Sequence, residues 1–236
     1  LDAAYSLCDV LLNSVGFRGL NDYNVLAEVK KAATDKKNIG RREGAMFALG
    51  AIFERFPSKQ RLSEVVFFLQ HEYLLPMALD AIADKTPSVR DGAKYAIDAL
   101  YKELSAEAKV YGLLPILIQY LRKGTAKWQS AVVAYDLVGR MADDAKMGME
   151  SLEAEQAKDV LREAMGRKLE DLIPIVEGGM HDLKSEVSKA AIKAMNALTA
   201  LLQNDDVMPR LPLLIKSMED PSTQSLQKAI HALSQT

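Results

Sequence analysis

The chain has 236 residues, 49% of them hydrophobic but only 6% aromatic, with a formal net charge of −2. That is long enough for a large core or a stack of repeats, and near-neutral charge excludes a global basic field, so any nucleic-acid surface must be a local patch. The lone cysteine, Cys8, excludes an internal disulfide, and no apolar run approaches the roughly 18 residues of a membrane span.

In chain order, the sequence opens at Leu1 already in a helical pattern, with no initiator Met and no signal peptide, as expected of a piece of a longer protein. Cys8, in the run LCDVLL, reads as a small buried hydrophobe in a reduced, intracellular setting. Residues 1–16 predict the second helix of an incomplete repeat, followed by a turn at Gly16 and Gly19. Asp35, Arg42, Ala45, Ala48 and Ile52 mark the next unit, whose elbow reads DKKNIGRR.

Four later segments share one pattern: an apolar-Pro pair, a first helix, a polar elbow and a second helix. They begin LLPMALDAIADKTPSV, LLPILIQYLRKGTAKW, LIPIVEGGMHDLKSEV and LPLLIKSMEDPSTQSL. Their prolines are Pro76, Pro115, Pro174 and Pro212, giving steps of 39, 59 and 38 residues. Counted from the proline, Asp84, Asp182 and Asp220 all stand at +8, and Val89 and Val187 at +13. Ala93 and Ala191, Ala96 and Ala194, and Leu100 and Leu198 continue at spacings of 4, 3 and 4, one face of a helix. The elbow Asp suits backbone N–H groups at the next helix start, and Thr86-Pro87 and Asp220-Pro221 read as a cap followed by Pro in the first turn.

In the second of these units the Asp position is Lys123 and the Val position Trp128, so Trp128 is expected in the core, with an exposed stacking platform as the alternative. The long step predicts an insertion at about 142–168. It is expected to be helical, as an extension or as a helix behind a mobile loop at 143–149. A period near 40 with two helices per unit predicts an all-α HEAT-repeat α-solenoid of antiparallel helix pairs, about six of them, forming a single domain over 1–236.

Catalytic signatures are missing. No Walker loop, GxGxxG, GxSxG, HExxH or zinc-ligand spacing occurs, and Gly178-Gly179, read as lying between helices, lacks a following Lys or Ser. His71, His181 and His231 are far apart, so structural or surface roles fit them better than a metal site. Asp143-Asp144 and Asp205-Asp206 fit caps or solvated loops. No catalytic, metal or cofactor residue is therefore assigned in this chain. The basic clusters are the candidates: Lys36, Lys37, Arg41 and Arg42 in one elbow, Lys85 and Arg90 in the next, then Arg122, Lys123 and Lys127, then Lys184 and Lys189. Stacked elbows would merge them into one basic ridge suited to phosphate backbones; the bland reading is ordinary solvated loops, with some charges paired to the elbow Asp residues.

The stretch TAKWQSAVVAYDLVGRMADDAK, Thr125 to Lys146, resembles the HEAT region of the fungal elongation factor 3 family, where a similar KWQ triplet opens a helix. The segments LIPIVEGGMHDLKSEVSKAAIKAM and MPRLPLLIKSMEDPS are similar to later repeats of that family. DKKNIGRREGAMFALGAI looks closer to the related block of a large ribosome-bound scaffold that activates an initiation-factor kinase. A prion-named paralogue shares the block. The resemblance covers roughly Thr34 to Thr236, and the insertion departs from it.

The resemblance implies a cytoplasmic parent with ABC-F ATPase cassettes using ATP and Mg²⁺, and a HEAT arm that docks on rRNA and ribosomal proteins, with other translation factors as further partners. It implies no membrane and no small-molecule substrate. Lys127, Lys184 and Lys189 match family elbow positions. Two alternatives stay open: a protein–protein scaffold of the kinase-activator type, and a generic HEAT adaptor.

Overall fold

The computed structural model describes residues 16–55, 62–146 and 152–200, with residues 6, 9, 10, 13 and 14 before them. Cys8, Pro212, Asp205-Asp206, Asp220-Pro221, His231 and the last repeat lie outside the described residues. Helices in order are α1 (Phe17–Asp22), α2 (Val25–Ala33), α3 (Ile39–Glu54), α4 (Leu62–Glu72), α5 (Leu74–Ala81) and α6 (Pro87–Glu103). A helical turn at Ala106–Ala108 and a π-helical stretch at Lys109–Leu113 lead into α7 (Leu114–Arg122). Then come α8 (Trp128–Lys146), α9 (Leu152–Met180) and α10 (Ser185–Thr199). No strand occurs among the described residues, and no helix there is long and apolar enough to cross a membrane.

The repeat unit is a helix pair: α2–α3, α5–α6, α7–α8 and α9–α10. This is the all-α HEAT-repeat architecture that the proline and elbow spacing predicts. Packing divides the chain into two compact units, Leu1–Ala134 and Tyr135–Thr236, and α8 runs from the first into the second.

In the first unit, α3 and α6 pack along their lengths, and each offers the other a glycine. The Tyr95 ring lies over Gly50, and Met46 and Phe47 lie over Gly92. A side chain at Gly92 would meet the Cβ of Met46 and hold the helices apart, so the close approach is itself specified by sequence. The 4-3-4 face is buried as expected: Val89, Ala93, Ala96 and Leu100 in α6, and Val187, Ala191, Ala194 and Leu198 in α10. Burying a Leu or Val side chain contributes roughly 1.5–3 kcal/mol, while the small residues between them let neighbouring helices meet. In the second unit Gly139 of α8 approaches the backbone of Ala194, and Gly179 accommodates the Tyr135 ring. Tyr135 also donates its hydroxyl to the carbonyl of Ile175, 3.2 Å away.

Three expectations need correction. Pro174 does not open the first helix of its repeat: α9 runs unbroken over 29 residues with Pro174 inside it, so residues 152–168 are a helical extension, one of the two forms expected of the insertion. Pro174 is exposed, so the carbonyl its missing N–H leaves unpaired can be taken by water. Gly178-Gly179 consequently lies in the last turn of α9, not between helices.

The third correction is a register shift. The core position of α8 is Ser130, not Trp128. The first helix of this unit runs two residues further past its proline than α5 does, to Arg122 against Ala81, so behind the turn at Gly124, φ 64°, α8 starts two residues later. Ser130, Ala134, Leu137 and Met141 are all buried and reproduce the 4-3-4 face, whereas Trp128 is 40% exposed.

Ser130 is therefore a polar residue in the place of Val89 and Val187. Its hydroxyl oxygen is buried without a partner that meets hydrogen-bond geometry. The neighbouring Tyr120 instead donates to Asp80 at 2.6 Å. Burial first, and that carboxylate second, push the Tyr120 hydroxyl well above its ordinary range, with Ser130 opposing the shift. We expect Ser130→Ala to raise stability by about 1 kcal/mol, because it removes an unmet polar group and favours helix. Urea unfolding measures this; a loss of stability would mean that the Ser130 hydroxyl makes a bond to Tyr120 worth keeping.

Candidate nucleic-acid interface

Each described elbow except one is closed by its aspartate. Asp35 accepts from the backbone N–H groups of Lys37 at 2.9 Å and Asn38 at 3.1 Å. Asp84 accepts from Thr86 N–H at 2.8 Å, and Asp182 from Lys184 N–H at 2.8 Å. Asn38 then caps α3 by accepting from Arg41 N–H, while Thr86 precedes Pro87 at the start of α6. The backbone N–H bonds, first among the causes, hold the Asp35 carboxyl below its usual 3.8. For Asp84, burial pushes upward, but the Arg42 guanidinium and the Thr86 N–H outweigh it and the net direction is down.

The arginines mostly serve the scaffold. Arg42 reaches across to the next repeat, with Nε 2.8 Å from Asp84 Oδ2 and Nη2 3.3 Å from Oδ1. Only 14% of the Arg42 side chain and 16% of that of Asp84 is exposed. Arg42 Nη1 also donates to the carbonyl of Asp35 at 2.9 Å. Arg90 repeats that bond one unit later, to the carbonyl of Asp84 at 2.9 Å. Arg41 lies 3.3 Å from Asp35 and 3.7 Å from Glu28.

The lysines are different. Lys36, Lys37, Lys85, Lys123 and Lys127 are exposed, and among the described residues none of their side chains has a hydrogen-bond or ion-pair partner. Two ties at the elbow ends of the helices, Arg42–Asp84 and Tyr120–Asp80, hold the first three elbows side by side on one edge of the first unit. Lys184 and Lys189 belong to the second unit, where both lie near Glu186. The backbone N–H of Glu186 and the Ser185 hydroxyl, then these lysines, hold the Glu186 carboxyl low, so part of their charge is already answered.

His181 is exposed in the turn after α9, and no cluster of potential metal ligands occurs among the described residues. The feature that sequence reasoning misplaced is Trp128. The available signal was Gly124, nine residues past Pro115, where the elbows after Pro76 and Pro174 carry Lys85 and Leu183.

Stacked helix pairs joined by charged elbows define the described part of the chain as a HEAT-repeat module. Residues 2–195 match the family described as EF3 N-terminal HEAT repeat, and the chain belongs to that family. It is 33% identical over 227 residues to the mRNA export factor elf1 of Schizosaccharomyces pombe, covering 96% of this chain and 18% of that protein. It is 30% identical over 213 residues to [NU+] prion formation protein 1 of Saccharomyces cerevisiae, covering 89% and 16%. Human stalled ribosome sensor GCN1 is 27% identical over 241 residues, covering 99% and 8%. The chain thus spans less than a fifth of the length of these relatives.

Proposed function

We propose that the chain acts as one HEAT block, a non-catalytic, ribosome-docking arm of a translation factor of the elongation factor 3 type. Its elbow lysines contact rRNA and ribosomal proteins in the cytoplasm. Any ATP and Mg²⁺ chemistry of a parent protein belongs to parts other than this block. The observation that carries the proposal is the row of five unpartnered lysines on one edge of the first unit, in a chain whose net charge is only −2. Local cation density without matching carboxylates suits a phosphate backbone, which is read by shape and charge rather than sequence. Family membership, and a relative named as a stalled ribosome sensor, point the same way.

Co-sedimentation with ribosomes across a salt series tests the proposal. The intact chain is expected to bind, with affinity falling steeply as salt rises. Lys→Glu changes at residues 36, 37, 85, 123 and 127 are expected to weaken binding about tenfold or more. Arg42 and Arg90 are left unchanged, because their loss would loosen elbows rather than report on docking. Binding that is insensitive to salt and to the lysine changes would favour the protein-scaffold reading, consistent with a relative named as an eIF-2-alpha kinase activator.

A further inference from the structure

We infer that the third elbow is a contact for single-stranded RNA, in which the Trp128 indole stacks on a base and Lys123 and Lys127 meet the flanking phosphates. The inference rests on the docking proposal for its choice of partner class, and it adds a site and a mode of recognition. Trp128 is 40% exposed at the mouth of α8, although a buried position lies two residues further along the same helix. A large indole left two-fifths exposed forfeits apolar burial and offers part of its surface for stacking.

The charge around it is unusual for this chain. The other described elbows each hold an aspartate that closes the turn; here Lys123 and Gly124 stand instead. From residue 108 to residue 135 there is no carboxylate at all, while Lys109, Arg122, Lys123 and Lys127 lie in that stretch. Neither Lys123 nor Lys127 has a side-chain partner among the described residues. Among the described residues nothing lies within 4 Å of where a Cβ on Gly124 would stand. A nucleobase supplies a flat face and its phosphates supply the anions. An acidic peptide answers the lysines but not the indole, and duplex RNA keeps its base faces stacked away.

Trp128 is the only tryptophan of the chain, so tryptophan emission, excited at wavelengths that the tyrosines do not absorb, reports on this elbow alone. The chain is titrated with a short single-stranded oligoadenylate, a duplex of equal length and a polyglutamate peptide, at low and high salt. The expected result is saturable quenching by the single strand, much weaker with the duplex, and relieved by salt. Lys123→Glu with Lys127→Glu is expected to weaken the single-strand affinity roughly tenfold or more. Anisotropy of labelled oligoadenylate is expected to show Trp128→Ala binding roughly 5- to 150-fold more weakly, with Trp128→Phe largely retaining affinity.

Absence of quenching, or unchanged RNA affinity in Trp128→Ala, overturns the inference. Quenching by polyglutamate as strong as by RNA overturns it in favour of an acidic protein partner. Salt-sensitive ribosome binding that persists in Trp128→Ala, without any RNA quenching, overturns the inference while the docking proposal stands. RNA quenching without ribosome binding supports the inference and overturns docking.

Discussion

Replacing Gly92 by leucine is expected to cost about 3 kcal/mol or more, the largest single-residue effect at the α3–α6 crossing. A Cβ on Gly92 would stand 2.9 Å from the Cβ of Met46 and 3.4 Å from two ring carbons of Phe47. Met46 is fully buried, and its Cβ is fixed to the α3 backbone, so relief requires moving a helix rather than turning a side chain. Alanine at the same place gains about 1 kcal/mol of helix propensity. It meets the same collision, and a net loss of about 1 kcal/mol is expected. Gly50 provides the contrast. A Cβ there meets the Tyr95 ring, which is only half-buried and can swing aside. Gly50→Ala is therefore expected to be milder than Gly92→Ala. Urea unfolding followed by helical circular dichroism measures all three. A Gly92→Leu variant as stable as the parent would show that α3 and α6 do not approach as described.

The second large effect is at Asp84. This carboxylate joins two repeats: it binds Arg42 of the preceding pair through two nitrogens and holds the Thr86 N–H of its own elbow. Asp84→Ala leaves the Arg42 guanidinium, itself mostly covered, without its anion. Breaking a fully buried pair costs about 3–5 kcal/mol; partial solvent access discounts this to about 1–2 kcal/mol.

The pH dependence follows in sign. The folded carboxyl of Asp84 titrates below its ordinary 3.8, and so does that of Asp35. The stability they contribute is therefore complete above about pH 4 to 5 and is lost as pH falls through the folded values. Asp84→Asn should be less stable than the parent at neutral pH, and the gap should narrow below pH 4, where the parent carboxyl takes up its proton. Unfolding midpoints at neutral pH and near pH 3.5 test this. A gap that stays constant across that range would remove the ion pair as the cause. A double-mutant cycle with Arg42→Ala isolates the pairwise part.

The basic edge and the Trp128 elbow depend on this scaffold. Arg42 and Arg90 have the charge of a phosphate-binding residue, yet the fold spends both on elbow carbonyls and Asp84. The lysines beside them are left to solvent. The division follows side-chain chemistry. A planar guanidinium donates several bonds in fixed directions and suits closing a turn, whereas an ammonium on a flexible stem is easily kept hydrated.

Much of the architecture was already legible in the residues, because it is local. Helix pairs follow from the 4-3-4 apolar spacing, elbows from an Asp at +8 from the proline, and the start of α6 from Thr86-Pro87. Each rests on neighbours within about two turns. What required the tertiary structure was everything that depends on how far one segment slides against another. Two extra residues at the end of α7 place Ser130 in the core and leave Trp128 part-exposed, an offset that counting from Pro115 could not reveal. Pro174 lies within α9 because its ring faces solvent, which composition does not show. Arg42 finds Asp84 from 42 residues away, and Gly92 is needed because Met46 sits above it. Periodicity along a chain determines which faces are apolar. Packing between chain segments decides which members of those faces meet, and so which charges and which single indole remain exposed.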